Sequence, residues 1–269
     1  MVCRGIRHFG ERRVAARSLG IIGAAALGVS LAFGAAAQTQ HAKESGNMTA
    51  QRTTAAAETL SAQQQAILPI AAFAAAGDMD KLDTALNQGL DAGLSISDER
   101  EVLIQLYAYA GFPRSLNALT ELMKVVDARK QRGIHDAPGR APRHAIPTGD
   151  ALLAAGKANQ TKLVGQPVAG PIFEFAPAIG EYLQSHLFGA IFERDNLGWQ
   201  SRELATVGML SAMPGVEAQL QSHMHMSINT GLTAKQMQQA VEVLDARVGA
   251  DSGRRAREAL RRALASAQH

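Results

Sequence analysis

The stretch LQSHMHMSINTGLTAKQM, residues 220–237, decides the fold, because its two neighbouring histidines mean different things in a strand and in a helix. In a strand, His223 and His225 would point to the same face and could bind one metal ion. In a helix they would lie about 200° apart around the axis and could not share a ligand. The secondary structure of this stretch therefore determines whether it is a candidate metal site.

An internal repeat indicates that the stretch is helical. Residues 85–99 can be placed on residues 223–237, and we call this register, continued without gaps in both directions, the repeat alignment. It pairs Gly93 with Gly231, and each of these glycines can end a helix. It also pairs Ser95 with Thr233, and each of these hydroxyl residues can cap the helix that follows. The pattern predicts a helix, a glycine stop and a second, capped helix. His223 and His225 then face opposite sides of one helix, and we expect no metal and no cofactor there.

The rest of the chain also has the hydrophobic spacing of helices. Apolar residues recur at helical intervals from 63 to 126, and again from 177 to the end, and no run of alternating β-branched residues interrupts them. We therefore predict an all-α fold with two related helical modules, at 63–127 and 171–269. The glycine- and proline-rich residues 128–170 between them are predicted to be a linker or a long surface excursion.

The first 37 residues have the three parts of a secretory signal: a basic start, an apolar run, and the small residues AAA at 35–37. Residues 38–62 are polar and are expected to form a flexible leader. We predict a periplasmic or secreted protein. The adjacent Arg12 and Arg13 leave a twin-arginine export route open beside general secretion, and an uncleaved membrane anchor is the alternative to cleavage.

Removal of this signal would change the charge and the thiol chemistry of the chain. It takes away five arginines and one glutamate, so the formal net charge falls from +3 to −1. The basic isoelectric point therefore predicts no nucleic-acid partner, and we expect no membrane association after cleavage. Cys3 is also removed, and it is the one cysteine of the sequence. The exported chain would have no disulfide and no thiolate ligand.

A carboxylate and an imidazole form the candidate catalytic pair. Glu203 lies among apolar residues of one predicted helix, and His223 lies near the edge of the buried stripe of the next. The turn between these helices contains Pro214 and Gly215, so they can pack antiparallel and bring the two side chains together. A carboxylate that orients an imidazole is a general acid–base device. A buried structural pair, or an exposed histidine, is the alternative interpretation.

The residues around this pair resemble the carboxymuconolactone decarboxylase family. WQSRELATVGMLSAMPGVEAQLQSHMHMSINTGLTAKQMQQAVEVL, residues 199–244, contains the R-E-L segment and the histidine that precedes N-x-G-[LV]-T. Residues 70–119 are similar to the later part of the same module and end in the family's Y-x-G-x-P segment. The related alkylhydroperoxidase-D-like branch has a C-x-x-C pair before the histidine, and residues 213–223 have no cysteine.

The resemblance implies three alternative functions. The first is a cofactor-free lyase or isomerase that acts on a small carboxylated or lactone-type metabolite. The second is a peroxiredoxin-like antioxidant activity, which the absence of the cysteine pair makes chemically difficult because the thiolate is the nucleophile. The third is a binding or scaffold protein that kept the helical fold. The resemblance also implies a homo-oligomer.

The repeat suggests one composite site per chain. In the repeat alignment, Glu203 falls on Gln65 and His223 falls on Ala85, so the first copy lacks both members of the pair. The first copy in turn keeps the aromatic and basic residues of YAYAGFPRS, which the second lacks. Ordinary divergence of a duplicated scaffold is the alternative. Substrate-binding roles are therefore predicted for Tyr107, Tyr109 and Arg114, and an arginine, either Arg114 or Arg202, is expected to bind the substrate carboxylate.

Overall fold

A computed structural model describes residues 58–266, and the regular secondary structure in that range is helical, with no strand. The predicted all-α fold is confirmed. The predicted signal peptide and most of the predicted leader lie outside the described residues. No helix between residues 58 and 266 is both long enough and apolar enough to cross a membrane.

Four helices form what we call the first half. Helix α1 begins after Ser61, whose side chain accepts a hydrogen bond from the Gln64 amide in a capping box, and it ends at Gly77 in the left-handed conformation. Helix α4 is kinked at Gly111, where φ is 81°. The bounds of the four helices are α1 Ala62–Ala76, α2 Met79–Asp91, α3 Ile96–Gln105 and α4 Tyr107–Gln131.

Four further helices form what we call the second half, and their positions follow the repeat alignment. Ser95 and Thr233 both close capping boxes, with Asp98 and with Gln236, as the sequence predicts. Gly93 and Gly231, where the preceding helices stop, both have positive φ, at 93° and 98°. The bounds are α8 Trp199–Ala212, α9 Glu217–Asn229, α10 Ala234–Arg247 and α11 Ala250–Ser266.

The first helices of the two halves, α1 and α8, pack against each other in the main core. Gly208 is the point of closest approach: a Cβ atom there would lie 2.6 Å from the carbonyl oxygen of Leu68 and 3.1 Å from Cβ of Ala71. Both helices are buried over most of their length. Because the halves share one core, residues from one half can reach a site in the other.

The segment between the halves is more structured than the predicted linker at 128–170. Helix α5 occupies Gly149–Val164 and is followed by α6 Pro171–Phe175, α7 Pro177–Tyr182 and a π-helix at Leu183–Ile191. Helix α5 packs on the π-helix at Gly156, where a side chain would meet the backbone of Gln184 and Gly189. A second apolar cluster, with Leu163, Phe188 and Met226, joins these elements to α9.

Candidate functional site

Glu203 and His223 face each other across the antiparallel helices α8 and α9. Met213 and Pro214 end the first helix, and Gly215, with φ of 87°, turns the chain into the second. Nδ1 of His223 lies 2.8 Å from Oε2 of Glu203. The structure therefore brings together the two residues that the sequence predicted as an acid–base pair.

The burial of this pair is uneven. Glu203 is fully buried, and its Oε1 atom has no hydrogen-bond partner in the described residues. His223 is 6% exposed. Its Nε2 atom makes no hydrogen bond with residues 58–266 and is not among the fully buried atoms, so this nitrogen faces the solvent. With the Nδ1 proton donated to the carboxylate, Nε2 carries the free lone pair and can accept a proton from outside.

Tyr109 completes the composite arrangement from the first half. Its ring lies edge-on to the His223 ring, with centroids 5.6 Å apart. The hydroxyl is buried and has no hydrogen-bond partner in the described part of the chain. Burial raises the pKa of this phenol, the nearby carboxylate of Glu203 raises it further, and Thr206 offsets only part of the shift. The hydroxyl therefore stays protonated and is a potential donor.

Tyr107, another predicted substrate-binding residue, makes no hydrogen bond to the pair in the described residues. Its ring stacks on Phe112 with centroids 4.8 Å apart and an interplanar angle of 10°, and Phe112 is 64% exposed. Tyr107 also packs against the apolar cluster that includes Met226, one helical turn after His223. Together Tyr107 and Phe112 form a stacked aromatic pair that is exposed to solvent at Phe112.

Arg202, one of the two arginines predicted to bind a substrate carboxylate, lies in a buried network. Its guanidinium is fully buried, and Nη2 lies 3.0 Å from Oε2 of Glu101 and 2.9 Å from the carbonyl oxygen of Arg194. Nη1 donates to Oε1 of Gln105. Burial lowers the pKa of Arg202, and the contact with Glu101 opposes this effect. A guanidinium committed to a buried carboxylate is not free to bind a substrate carboxylate.

Arg114 is also not at the pair. It is exposed, and its guanidinium lies over Gly77, at the carboxyl end of α1. No hydrogen bond or ion pair within residues 58–266 joins it to Glu203, His223 or Tyr109. A helix end with free carbonyl groups attracts a cation, which explains this position without a substrate.

His225 has a separate environment, as expected for a helix. Its Nε2 atom is hydrogen-bonded to Oγ of Ser266 on α11, at 2.7 Å, while His223 bonds to Glu203 on α8. The helical prediction for residues 220–237 is confirmed up to Asn229, and the capped helix follows from Ala234. Within residues 58–266, no three His, Cys, Asp or Glu side chains are grouped as metal ligands.

A buried network around Glu101, next in sequence to the helix that carries Tyr109, is not predicted by the sequence patterns. Glu101 accepts hydrogen bonds from Arg194 at 2.8 and 2.6 Å in addition to its contact with Arg202. Gln105 donates to Oγ1 of Thr206, one turn after Arg202. Burial opposes the ionisation of Glu101, but the arginines lower its pKa to about 2. These partners come from distant parts of the sequence, so no local spacing indicates the network.

Four surface cavities, with volumes from 180 to 420 Å³, lie on the described part of the chain. None of these is lined by Glu203, His223 or Tyr109. The accessible part of the pair is the 6% of His223 that is exposed. A substrate has to approach this part from the surface.

Comparison with known families identifies the part of the chain that holds this pair. Residues 177–262 match the model of the Carboxymuconolactone decarboxylase family. The matched segment is all-α and includes both Glu203 and His223, so this part of the chain is similar to that family. A comparison with curated proteins found no match. The match does not include residues 58–131, so a module of the same family in the first half remains a prediction.

Proposed function

We propose that this protein is a cofactor-free lyase or isomerase that acts on a small carboxylated or lactone-type metabolite. The family match supports carboxymuconolactone decarboxylase-like or alkylhydroperoxidase-D-like function at the level of the family. The observation that carries the finer proposal is the 2.8 Å contact between Glu203 and His223, with Nε2 of the histidine left free towards the solvent.

The pair suits proton transfer at carbon. In an isomerisation, Nε2 would take a proton from the carbon next to a carbonyl group and return it at another position. The imidazolium formed in between would be stabilised by the carboxylate of Glu203, which accepts the Nδ1 hydrogen throughout. The unpartnered Oε1 atom strengthens this effect, because its negative charge is not neutralised by another donor in the described residues.

In a decarboxylation, the same pair would start protonated. The bond between the substrate carbon and its carboxylate breaks, carbon dioxide leaves, and the electron pair stays on the carbon. The Nε2 proton of the imidazolium is then transferred to that carbon, so one proton is consumed for each carbon dioxide released. The buried Tyr109 hydroxyl is the candidate donor to an oxygen that gains negative charge in this step.

The substrate carboxylate still needs a binding group. Arg202 is committed to Glu101, and Arg114 lies at Gly77, so neither of the predicted arginines is placed for this role. Tyr107 and Phe112 form a stacked aromatic pair on the same helix as Tyr109, the residue whose ring contacts His223. We therefore propose that the organic body of the substrate is bound here, and that the carboxylate points away from the protein surface or towards a second copy of the chain.

Metabolite profiling tests the proposal. The chain and its His223→Ala variant are incubated with an extract of small organic acids, and the depletion of each acid is measured by mass spectrometry. His225→Ala is the matched control, because His225 lies on the same helix and bonds only to Ser266. We expect one acid to be consumed by the wild type and by His225→Ala alone. Equal profiles for all three proteins would contradict an acid–base role for His223.

A peroxidase reaction is the second candidate, and no observation of the structure favours it. A dithiol mechanism needs two cysteines, and the sequence contains one, Cys3, outside the described residues. Hydrogen peroxide consumption by the purified chain would decide against the lyase proposal if it were rapid and independent of His223.

We further propose that the protein acts in the periplasm or outside the cell and assembles as a homo-oligomer. The support is the signal-like sequence at 1–37 and the resemblance to the family. Fractionation of expressing cells and size-exclusion chromatography with light scattering test these two proposals directly.

A further inference from the structure

A surface cavity in the first half is lined by the counterparts of two residues of the candidate site in the second half, His223 and Tyr109. It has a volume of 290 Å³ and is lined by residues of α1, α2 and α10: Pro69, Phe73, Lys81, Thr84, Ala85, Gln88 and Arg247. In the repeat alignment, Ala85 corresponds to His223 and Arg247 corresponds to Tyr109. The cavity thus shares two positions with the candidate active site, whereas Gln65, the counterpart of Glu203, does not line it.

The contact between the halves supports this correspondence. Tyr109 comes from the first half and meets His223 on α9 of the second. Arg247 comes from the second half and meets the α2 surface of the first, where its Nη2 atom lies 2.6 Å from Oε1 of Gln88. Each half thus contributes one side chain, at corresponding positions of the repeat alignment, to the surface of the other half. At the cavity, however, the methyl group of Ala85 takes the place of the His223 imidazole, and the guanidinium of Arg247 takes the place of the Tyr109 phenol.

These replacements change the chemistry from acid–base to cationic. Gln65, the counterpart of Glu203, is a neutral amide that donates to the carbonyl oxygen of Leu60. The cavity lining has two cations, Lys81 and Arg247, and no carboxylate. Its apolar part is formed by residues that are buried in the core, Pro69, Phe73 and Ala85. Two positive charges beside an apolar surface favour a ligand that has an apolar part and one negatively charged group.

The position of Lys81 agrees with that ligand. Its Nζ atom lies 5.6 Å from the ring centroid of Phe73, which belongs to the floor of the cavity. It also pairs at 2.8 Å with Asp78, a residue outside the lining, and this carboxylate competes with an incoming anion. Arg247 has no acidic partner in the described residues, so it is the cation with the greater capacity to bind a new carboxylate.

We propose that this cavity is a binding site for a small organic acid, distinct from the Glu203–His223 pair. The carboxylate is bound by Arg247 and Lys81, and the apolar body rests on Phe73 and Ala85. The proposal goes beyond the proposed function and does not depend on it, because a scaffold protein without activity could use the same site. Both cations are exposed to solvent, so we expect weak binding, on the order of 1 mM.

Calorimetry of the full chain with three probes tests the proposal. Benzoate has the predicted shape and charge, benzamide has the same shape without the charge, and inorganic phosphate has charge without an apolar body. We expect benzoate to bind at least tenfold more tightly than either of the others. If benzamide binds as tightly as benzoate, the cavity is not a site for anions and the proposal is wrong.

Variants then locate the site. Arg247→Met and Lys81→Met remove each charge and keep an apolar stem, and we expect the double variant to weaken benzoate binding at least tenfold. Arg100→Met and Lys130→Met, which change exposed cations elsewhere, are the matched controls and should bind as the wild type does. Equal losses in the controls would show general charge attraction and would overturn the proposal.

Nuclear magnetic resonance of the labelled chain gives an independent location. Benzoate should shift the backbone signals of Thr84 and Ala85 and leave those of Met224 and Ser227 unchanged. His223→Ala should leave benzoate binding unaltered. If the shifts cluster on α9, or if His223→Ala abolishes binding, the acid binds at the candidate active site and the separate site in the first half does not exist.

Discussion

The ring of Tyr109 lies edge-on against the ring of His223, with an interplanar angle of 77°. One residue comes from the first half of the chain and the other from the second. His223 is therefore held on one side by a hydrogen bond to Glu203 and on another by an aromatic contact. Both constraints fix the imidazole plane, which is what a proton-transfer group needs in order to meet a substrate in one orientation.

Tyr109→Phe tests whether the buried hydroxyl has a catalytic role. The hydroxyl has no hydrogen-bond partner in the described residues, so its removal should leave the free energy of unfolding unchanged or raise it by about 1 kcal/mol. Turnover of the substrate found by metabolite profiling should fall about tenfold or more. Urea denaturation and steady-state kinetics measure the two effects. Unchanged turnover would identify Tyr109 as a packing residue.

Glu203→Gln tests the orientation of the imidazole. Glutamine removes the charge that stabilises the imidazolium, and where its amide donates to Nδ1 the histidine proton moves to Nε2 and the free lone pair there is lost. We expect kcat to fall about 10²–10⁴-fold with the fold intact. Circular dichroism checks the fold, and kinetics check the rate. A variant as active as the wild type would show that the pair is structural.

Glu99→Gln should stabilise the protein at neutral pH. Glu99 is fully buried without a hydrogen-bond partner among the described residues, and burial raises its pKa to about 9, with a further contribution from Asp136. The folded state keeps its proton while the unfolded state loses it above a pH of about 4.5, so wild-type stability declines as the pH rises through this window. The decline from pH 5 to pH 7 should be about 3 kcal/mol.

Urea denaturation at several pH values measures this effect. The variant should lack the decline, and the exposed Glu242→Gln should keep it. A decline that is equal in the wild type and in Glu99→Gln would mean that another group binds the proton.

Glu101→Gln should destabilise the protein. The substitution removes the carboxylate that pairs with Arg202 and Arg194 and leaves Arg202 buried without a counter-charge. We expect a loss of about 3–5 kcal/mol at pH 7. Since the pKa of Glu101 is lowered to about 2, its stabilising effect is present above a pH of about 4.5 and is lost as the pH falls towards 2. The difference between variant and wild type should therefore shrink on acidification, as urea titrations at pH 7, 4 and 2.5 would show.

Gly208→Ala tests the packing of the two halves. Alanine favours a helix over glycine by about 1 kcal/mol, but its Cβ would lie 2.6 Å from the backbone oxygen of Leu68. We expect overpacking to dominate and to cost about 1–3 kcal/mol. Gly198→Ala is the control, because a Cβ there meets no atom within 4 Å. Thermal unfolding compares them, and equal melting temperatures would contradict the close approach.

The sequence predicted those parts of the site that depend on local spacing. Gly231 and Thr233 indicated where helices end and begin, and this placed His223 on the face towards Glu203. The role of Arg202 could not be predicted in the same way, since its partner Glu101 belongs to the other half of the chain. Helix α5 was missed because glycines flank it and its apolar face is narrow: its buried residues are Gly156, Gln160 and Leu163.

The joining of both halves on one polypeptide has a consequence for specialisation. In a dimer of identical subunits, a substitution in the gene alters both copies of a site at once. Here the position of His223 is filled by Ala85 in the other half, and that of Tyr109 by Arg247. A single chain with two related halves can thus keep a proton-transfer residue in one half and have a cationic side chain at the corresponding place in the other. This needs neither a second gene nor the assembly of two different subunits.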